Sequence, residues 1–269
     1  MSSLDINNLF SVRGKVALVT GGSRGIGEMI AAGLLANGAK VYITARKAEQ
    51  CNATAERLSK EYNAECISIP ANIADIAGVE SLAAELGKRE SHLDFLINNA
   101  GAAWGAPLES FPEVGWDKVM DTNVKGVFFL TQKVLHLLEA RATTDDPSRV
   151  VNIGSIDGIR PTIFDTQSYG PSKAAVHFLT QQLAAPLARR NILCNAIAPG
   201  AFPTWMLSTG IGTGGDVEGT DWSAIGKTSP RGRVGTPEDI AGLAIFLCSR
   251  AGQFVCGDVI KCDGGAAIG

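Results

Sequence analysis

The sequence predicts an α/β protein with a doubly wound, parallel seven-stranded sheet and helices on both faces. Short apolar segments alternate with helix-like segments along the whole chain, which is the pattern of repeated βαβ units. The first apolar segment leads directly into a glycine-rich turn and a helix, as in folds that bind dinucleotides. With no internal repeat or linker, we expect a leader over 1–14 and a single Rossmann-type domain over 15–269.

Composition narrows the class of protein. The 269 residues are 45% hydrophobic, which suffices for a large core, and carry a formal net charge of −3. That charge, without a basic block, argues against a nucleic-acid partner. The N-terminus has neither a basic nor an apolar signal region, and no apolar run has the length of a membrane span. We expect a cytoplasmic protein with no membrane partner.

Cysteine and histidine spacing gives no metal-binding pattern. The six cysteines lack Cys-x-x-Cys spacing and the three histidines are dispersed, so we expect free thiols in a reducing compartment and no metal.

Apolar runs bounded by glycine, proline or polar residues predict strands at 15–20, 40–44, 64–70, 93–97, 149–153, 191–197 and 259–262. Helical patterns lie between them, from the glycine turn to about residue 37 and at 47–62, 75–90, 112–141 with a break, 169–190 and 236–249. Thr236 followed by Pro237 is a typical start for the last helix.

The turn after the first strand reads Gly21-Gly-Ser-Arg-Gly-Ile-Gly27. Between a strand and a helix, such glycines let backbone N–H groups approach a phosphate. An acid after the second strand binds the adenosine ribose of NAD(H), whereas arginine accommodates the 2′-phosphate of NADP(H). Arg46 follows the second strand, no acidic residue is present at that position, and Arg24 can reach the same region. The pattern favours NADP(H); alternatively, both arginines merely coat the surface.

Polar residues follow two further strands, at the sheet edge where open α/β folds bind ligands. Asn72 and Ile73 come after the third strand, where they can border an adenine ring. Asn98-Asn-Ala-Gly101 ends the fourth strand, although by itself it is only a turn signal. Asn123 lies in the middle of a predicted helix, which indicates either a local distortion or water site, or an ordinary exposed asparagine.

A proton-transfer group is predicted around Tyr169. Ser155 ends the fifth strand, and Tyr169 and Lys173 stand four residues apart at the start of a helix, so the ammonium can reach the phenol. Lowering the pKa of a tyrosine by roughly 3 units requires about 4 kcal/mol of preferential stabilisation of the phenolate. The alternative is a solvated pair on a helix surface.

The long segment 201–235 is rich in glycine and threonine but also contains tryptophan, methionine and leucine. This composition favours a lid over a substrate site. Ile159, Ile163 and Phe164 indicate an apolar wall beside the same site.

These motifs, in this order and spacing, resemble the short-chain dehydrogenase/reductase family over nearly the whole chain after residue 14. The resemblance is carried by Thr20-Gly-Gly-Ser-Arg-Gly-Ile-Gly27, Asn98-Asn-Ala-Gly101, Asn123, Ser155, Tyr169-Gly-Pro-Ser-Lys173, Pro199-Gly200 with Thr204, and Asp263-Gly-Gly265. Within the family the chain looks most like bacterial β-ketoacyl (3-oxoacyl) reductases of the type associated with rhamnolipid synthesis.

The resemblance implies a role for each matched residue. Tyr169 would protonate the ketone oxygen, Ser155 would hydrogen-bond it, Lys173 would lower the pKa of Tyr169 and hold the nicotinamide ribose, and Asn123 would anchor a relay water. The implied cofactor-binding set is Gly21, Ser23, Arg24, Gly25, Ile26, Arg46, Asn72, Ile73, Asn98, Ala100, Gly101, Tyr169, Lys173, Pro199, Gly200, Phe202 and Thr204. Asn72 departs from the aspartate that the family commonly has beside the adenine.

The leading functional hypothesis is therefore an NADPH-dependent carbonyl reductase acting on a small-molecule ketone, of the 3-oxoacyl type or similar in size. A dehydrogenase of a sugar, polyol or cyclic alcohol is the alternative within enzymes. A non-catalytic NADP-sensing regulator is the alternative outside them. The family resemblance also implies a homotetramer, or a homodimer, built from the helices that carry Asn123 and Lys173.

Overall fold

The computed structural model of the chain describes residues 4–161, 164–210 and 213–268; Ile163 of the predicted apolar wall lies outside them. Within these ranges, seven parallel strands form one sheet in the order β3-β2-β1-β4-β5-β6-β7. The strands are β1 (Val16–Thr20), β2 (Lys40–Thr44), β3 (Cys66–Ser68), β4 (Phe95–Asn98), β5 (Ser148–Ile153), β6 (Ile192–Pro199) and β7 (Val259–Cys262). The predicted doubly wound sheet is confirmed.

The α-helices of the described ranges follow in chain order. They are α1 (Ile6–Leu9), α2 (Gly25–Ala36), α3 (Ala48–Tyr62), α4 (Ile76–Arg89), α5 (Glu113–Met120), α6 (Gly126–Lys133), α7 (Leu135–Glu139), α8 (Tyr169–Ala188), α9 (Trp205–Gly210), α10 (Trp222–Gly226) and α11 (Pro237–Cys248). A capping box between Thr236 and Asp239 starts α11, as the sequence indicated. No helix in these ranges has the length and apolar character needed to cross a bilayer.

Apolar side chains pack on both faces of the sheet, because a parallel sheet is covered by helices on each side. One cluster joins the sheet to α2, α3 and α11 through residues such as Ile30, Leu58 and Ile240. The other joins it to α4, α6 and α8 through residues such as Leu82 and Leu130. The strands β1 and β5 are buried along their whole length; β1 is almost entirely apolar, whereas β5 also buries Ser148, Arg149 and Asn152.

Some element boundaries differ from the prediction. The third strand covers only Cys66–Ser68, and the fourth begins at Phe95 rather than at residue 93. The segment 201–235 contains the short helices α9 and α10. A turn-length helix has too few residues to show a periodic apolar pattern, so sequence periodicity did not reveal them.

The predicted helix at 112–141 is interrupted, as its central asparagine indicated. Between α5 and α6 the chain forms a π-helical turn over Asp121–Lys125, with Asn123 inside it. Asn123 is 1% exposed, so of the two readings left open by the sequence, the local distortion is confirmed and the exposed asparagine is wrong. π-Turns of this kind occur frequently at functional sites.

The strand order reverses between β1 and β4, which are neighbours in the sheet and both precede a loop at its carboxyl edge. Open α/β sheets bind ligands in the crevice outside such a reversal. The topology therefore locates the candidate site at the ends of β1 and β4.

Candidate active site

A cleft opens at this reversal, and most of the predicted site residues line it. They are Gly21, Ser23, Arg24, Gly25, Ile26, Arg46, Asn72, Ile73, Ala100, Gly101, Ser155, Tyr169, Lys173, Pro199, Gly200, Phe202 and Thr204. Asn98 and Asn123 are the predicted residues outside the lining. The cleft is bounded on its outer side by Phe164, Trp205, Met206 and Leu207.

The glycine turn is shaped by close contact with the end of β4. Gly21 has φ +64°, and a Cβ on it would lie 2.9 Å from Ala100 Cα. The Asn99 side chain donates to the carbonyls of Thr20 at 2.9 Å and of Gly21 at 3.2 Å. Asn99 thus ties the two strand ends together; the sequence motif contained it, but we had assigned it no role.

Asn98 requires a correction, because its side chain points into the core rather than the cleft. It is 2% exposed and donates to Thr131 Oγ1 at 3.1 Å and Asn152 Oδ1 at 2.9 Å. Successive side chains of a strand point to opposite faces, so Asn98 and its neighbour in the motif cannot both face the cleft. Asn98 was predicted to line the cofactor cleft, and the structure places its side chain outside that lining.

Asn123 supports the floor of the cleft from the π-turn. Its amide accepts from the Ala102 N–H at 2.8 Å and donates to the Ala102 carbonyl and Ser172 Oγ, each at 2.9 Å. A methyl group on Gly101 would lie 3.5 Å from Asn123 Oδ1 and 3.7 Å from Lys173 Nζ. The two polar atoms therefore face the same space in front of Gly101.

The phenol and ammonium meet as their spacing predicted. Lys173 Nζ lies 5.6 Å from the centroid of the Tyr169 ring and donates to the Ile153 carbonyl at 2.7 Å. Ser155 hydrogen-bonds the phenol, which favours the phenolate. Its Oγ also accepts from the Asp157 N–H at 3.1 Å.

The expected lowering of the tyrosine pKa is not found. Burial, and next to it the Asp157 charge, raise the pKa of Tyr169 to about 12, and only the hydrogen bond from Ser155 opposes them. Burial likewise lowers the pKa of Lys173 to about 8. Desolvation disfavours the charged form of either group and is the largest cause of both shifts. At neutral pH the phenol therefore carries its proton and is suited to act as an acid.

At the end of the cleft that lies beyond β2, two arginines and the buried hydroxyl of Thr44 line the same space. Arg24 and Arg46 line this end, and burial followed by repulsion from Arg46 lowers the pKa of Arg24. The Arg24 guanidinium stacks 4.3 Å above the Trp205 ring. Thr44 is 1% exposed, lines the same end, and its Oγ1 has no partner within the described residues. We had considered Thr44 only as a position without a carboxylate.

Comparison with known proteins agrees with this geometry. A family model described as enoyl-(acyl carrier protein) reductase matches residues 21–267. A rhamnolipids biosynthesis 3-oxoacyl-[acyl-carrier-protein] reductase of Pseudomonas aeruginosa is 48% identical over 95% of this chain and 97% of its own length. A gluconate 5-dehydrogenase of Gluconobacter oxydans is 38% identical over 97% of this chain and 98% of its own.

Among solved structures, the Pseudomonas aeruginosa RhlG/NADP active-site complex superimposes with a TM-score of 0.89 at 47% identity, covering 96% of this chain and 98% of that one. The family match, the near full-length relatives and the grouping of serine, tyrosine and lysine in one cleft agree with one another. The chain belongs to the short-chain dehydrogenase/reductase family of oxidoreductases.

Proposed function

We propose that this chain is an NADP(H)-dependent carbonyl reductase that reduces a 3-oxoacyl compound or a ketone of similar size. The observation that carries the proposal is a single cleft with a protonated phenol at one end and two arginines at the other. Tyr169 supplies the first, and Arg24 and Arg46 supply the second. A dinucleotide has the length and the charges to join two such ends.

The residues of the cleft fit NADP(H) in three respects. The glycine turn leads into the N-terminus of α2, where free backbone N–H groups can bind a pyrophosphate. The unpartnered Thr44 hydroxyl offers a buried hydrogen bond to the adenosine ribose or its phosphate. Arg24 and Arg46 match a 2′-phosphate, since guanidinium groups bind phosphate through paired hydrogen bonds. Asn72 and Ile73 border the adenine end.

The bound nicotinamide would supply the hydride. The side chains of the cleft neutralise or stabilise the negative charge that develops on the ketone oxygen. Tyr169 donates its phenolic proton to that oxygen. Ser155 donates a hydrogen bond to the same atom and stabilises it in the transition state. Lys173 holds an ammonium beneath the phenol and is positioned to bind the ribose hydroxyls. Asn123 and Lys173 face the space in front of Gly101, where a relay water would connect the phenol to solvent.

Apolar side chains around the outer cleft support an acyl substrate over a polyol. Phe164, Met206 and Leu207 form this wall, and burying an acyl chain against it is favourable by about 0.8 kcal/mol per methylene. The 3-oxoacyl reductase relative agrees with this choice. The gluconate 5-dehydrogenase relative keeps a second candidate, the reduction of a keto-sugar acid, open to test.

A steady-state screen tests the proposal directly. Oxidation of NADPH is followed with a 3-oxoacyl thioester, 5-ketogluconate and a cyclic ketone at equal concentrations. We expect the thioester to have the highest kcat/KM; higher kcat/KM with 5-ketogluconate would favour the second candidate. Tyr169→Phe should lower kcat at least a thousandfold while NADPH still binds. Equal turnover by Tyr169→Phe on every accepted ketone would contradict the mechanism.

Cofactor choice has its own test. Arg46→Asp removes a phosphate partner and introduces a carboxylate, so it should weaken NADPH far more than NADH. Lys47→Ala, at the exposed neighbouring position, controls for the loss of general positive charge. If Arg46→Asp weakens both cofactors equally, the assignment of the arginine to the 2′-phosphate is wrong.

We also propose a homotetramer, or a homodimer, that works in the cytoplasm. Trp116 on α5, Phe128 on α6 and Phe178 on α8 are 43%, 36% and 67% exposed, and apolar surface of this kind marks an interaction site. Phe178→Glu should reduce the mass measured by light scattering. The six cysteines are all unpaired, which suits a reducing compartment.

A further inference from the structure

One buried titratable side chain near the reaction centre has no part in the proposed chemistry. His177 lies on α8, one helical turn beyond Lys173, and is 8% exposed. Its Nε2 accepts a hydrogen bond from the Ser155 backbone N–H at 3.4 Å. The dispersed spacing of the histidines indicated no role for His177.

The ring also contacts the far end of the turn that follows Ser155. The chain forms a 3₁₀ turn over Ile156–Gly158, and the imidazole hydrogen-bonds the Gly158 backbone. With Nε2 accepting from one end of the turn, the neutral ring has its proton on Nδ1 for the other end. His177 therefore bridges both ends of the turn.

Two glycines make space for this ring. A Cβ on Gly154 would lie 2.0 Å from His177 Nε2, and a Cβ on Gly158 would lie 2.8 Å from His177 Cε1. Both distances are too short for any side chain, so the backbone on each side of Ser155 is shaped around the imidazole.

The neutral form that this bridge requires is the form that burial favours. Desolvation, and next to it the charge of Lys173, lower the pKa of His177, while the Gly158 carbonyl acts in the opposite direction. At neutral pH the ring therefore has one acceptor and one donor.

The turn has few other attachments to the sheet. The last sheet bond before Ser155 joins the Gly154 N–H to the Ile197 carbonyl at 2.7 Å. Beyond it, the N–H groups of Asp157 and Gly158 bond within the turn, to Ser155 Oγ at 3.1 Å and to the Ser155 carbonyl at 3.0 Å. These local bonds give the turn its shape, and Gly158 packs closely against the α8 backbone, since a Cβ on it would lie 2.6 Å from the Lys173 carbonyl carbon. His177 adds hydrogen bonds from α8 to the backbone at both ends of the turn.

We propose that His177 is a positioning residue, which fixes the Ser155 hydroxyl relative to Tyr169 by fastening the turn that carries the serine to the helix that carries the tyrosine. The inference rests on the proposed reductase function for its kinetic consequence. Because a displacement of about 1 Å can cost about a hundredfold in rate, loss of the bridge should affect kcat more than the binding of either substrate.

The test compares two substitutions of similar size. His177→Leu fills the space but removes both polar contacts, whereas a glutamine can place its carbonyl oxygen where Nε2 accepts and its NH₂ toward Gly158. The matched control is Thr180→Val, because Thr180 is a buried polar residue on the same helix that bonds Asn152 and the Val176 carbonyl rather than the Ser155 turn. For each variant, kcat and KM for NADPH and ketone are measured. Hydrogen exchange of the peptide covering 154–160 is measured alongside.

We expect H177L to lower kcat between ten- and a hundredfold with each KM changed by less than about threefold. It should also accelerate exchange in that peptide. H177Q should restore kcat to within about threefold of wild type, and T180V should leave kcat and the exchange unchanged.

A folded H177L with wild-type kcat and exchange would overturn the proposal, and so would a folded H177Q with kcat below a tenth of wild type. If H177L does not fold, H177Q decides by the same criterion. Should the wild-type protein reduce no ketone, the reductase function fails instead. The exchange of the turn in H177L, compared with that in H177Q and T180V, then decides the bridge alone, since it requires no turnover.

Discussion

Asn123→Ala gives a stability prediction whose size follows from the hydrogen bonds of the π-turn. The substitution removes the acceptor of the Ala102 N–H and the donor to the Ala102 carbonyl, in a residue that is itself buried. Ser172 keeps a partner, because its hydroxyl also donates to the Tyr169 carbonyl at 2.7 Å. The loss of stability therefore comes from the N–H and the carbonyl of Ala102, which lose their hydrogen-bond partner.

Each buried backbone group left without a hydrogen-bond partner costs about 1–3 kcal/mol. At about 1.5 kcal/mol each, in the lower half of that range, the two groups together cost about 3 kcal/mol. Alanine returns about 0.5 kcal/mol through its higher helix propensity. We therefore expect the free energy of unfolding to fall by about 2–3 kcal/mol, measured by guanidinium denaturation with unchanged m-value.

Lys125→Ala is the matched control, since it removes only an exposed ion pair with Asp121 at 3.2 Å from the same turn. It should cost less than about 0.5 kcal/mol. A loss below about 1 kcal/mol for Asn123→Ala would refute the reasoning, because the Ala102 backbone would then have found other partners.

Three further substitutions probe the cleft. Asp157→Asn removes a negative charge that raises the pKa of Tyr169. The pKa should fall, and the pH profile of alcohol oxidation should move to lower pH while ketone reduction at neutral pH is unchanged; an unmoved profile would contradict this. Gly101→Ala places a methyl in ordinary contact with the facing amide and ammonium, so the protein should keep its melting temperature but lose kcat, and an unchanged kcat would exclude a relay there. Trp205→Leu removes the ring under Arg24, so NADPH binding measured by fluorescence titration should weaken about two- to fivefold, and NADH binding should not.

The sequence predicted the sheet and most of the site because both depend on local patterns. Buried parallel strands are continuously apolar, and the glycine turn follows directly from its neighbours in the chain. The contacts that the sequence did not predict depend on the direction in which a side chain points in the folded protein. Asn98 and Asn99 are adjacent and chemically identical, yet one bonds inside the core and the other joins two strand ends. Only their positions relative to the end of β4 distinguish them: Asn98 is its last residue and Asn99 is the first residue after it.

Asn123 and His177 illustrate the same limit over longer distances. A polar residue in the middle of a helix indicated a distortion, but its partner Ala102 is 21 residues away in the chain. The bridge from His177 to the Ser155 amide spans 22 residues, and nothing in the local sequence of either end indicates it. Such contacts become visible only when the packing of α5 to α8 against the sheet is known.

The tyrosine–lysine pair shows why spacing alone does not give a pKa. The four-residue separation placed the ammonium beside the phenol, as expected, but the same packing removed both groups from water. Burial lowers the pKa of Lys173 from 10.5 to about 8, a change worth about 3 kcal/mol. The pKa of Lys173 is lower in the folded protein than in the unfolded chain, so its protonated form destabilises the fold. This penalty is fully present below about pH 8. It is relieved between about pH 8 and 10.5, where the folded protein loses the proton before the unfolded chain does.

Burial of Tyr169 and Lys173 therefore carries an electrostatic cost. The direction of the two pKa shifts decides which protonation states are present at the reaction centre. Desolvation lowers the pKa of Lys173, yet at about 8 it leaves the ammonium mostly protonated at pH 7. Desolvation acts on the phenol in the opposite sense and keeps its proton in place. Both groups therefore meet a ketone as proton donors, whereas alcohol oxidation would first require the phenol to ionise. The electrostatics of the cleft therefore keep the phenolic proton in place at neutral pH.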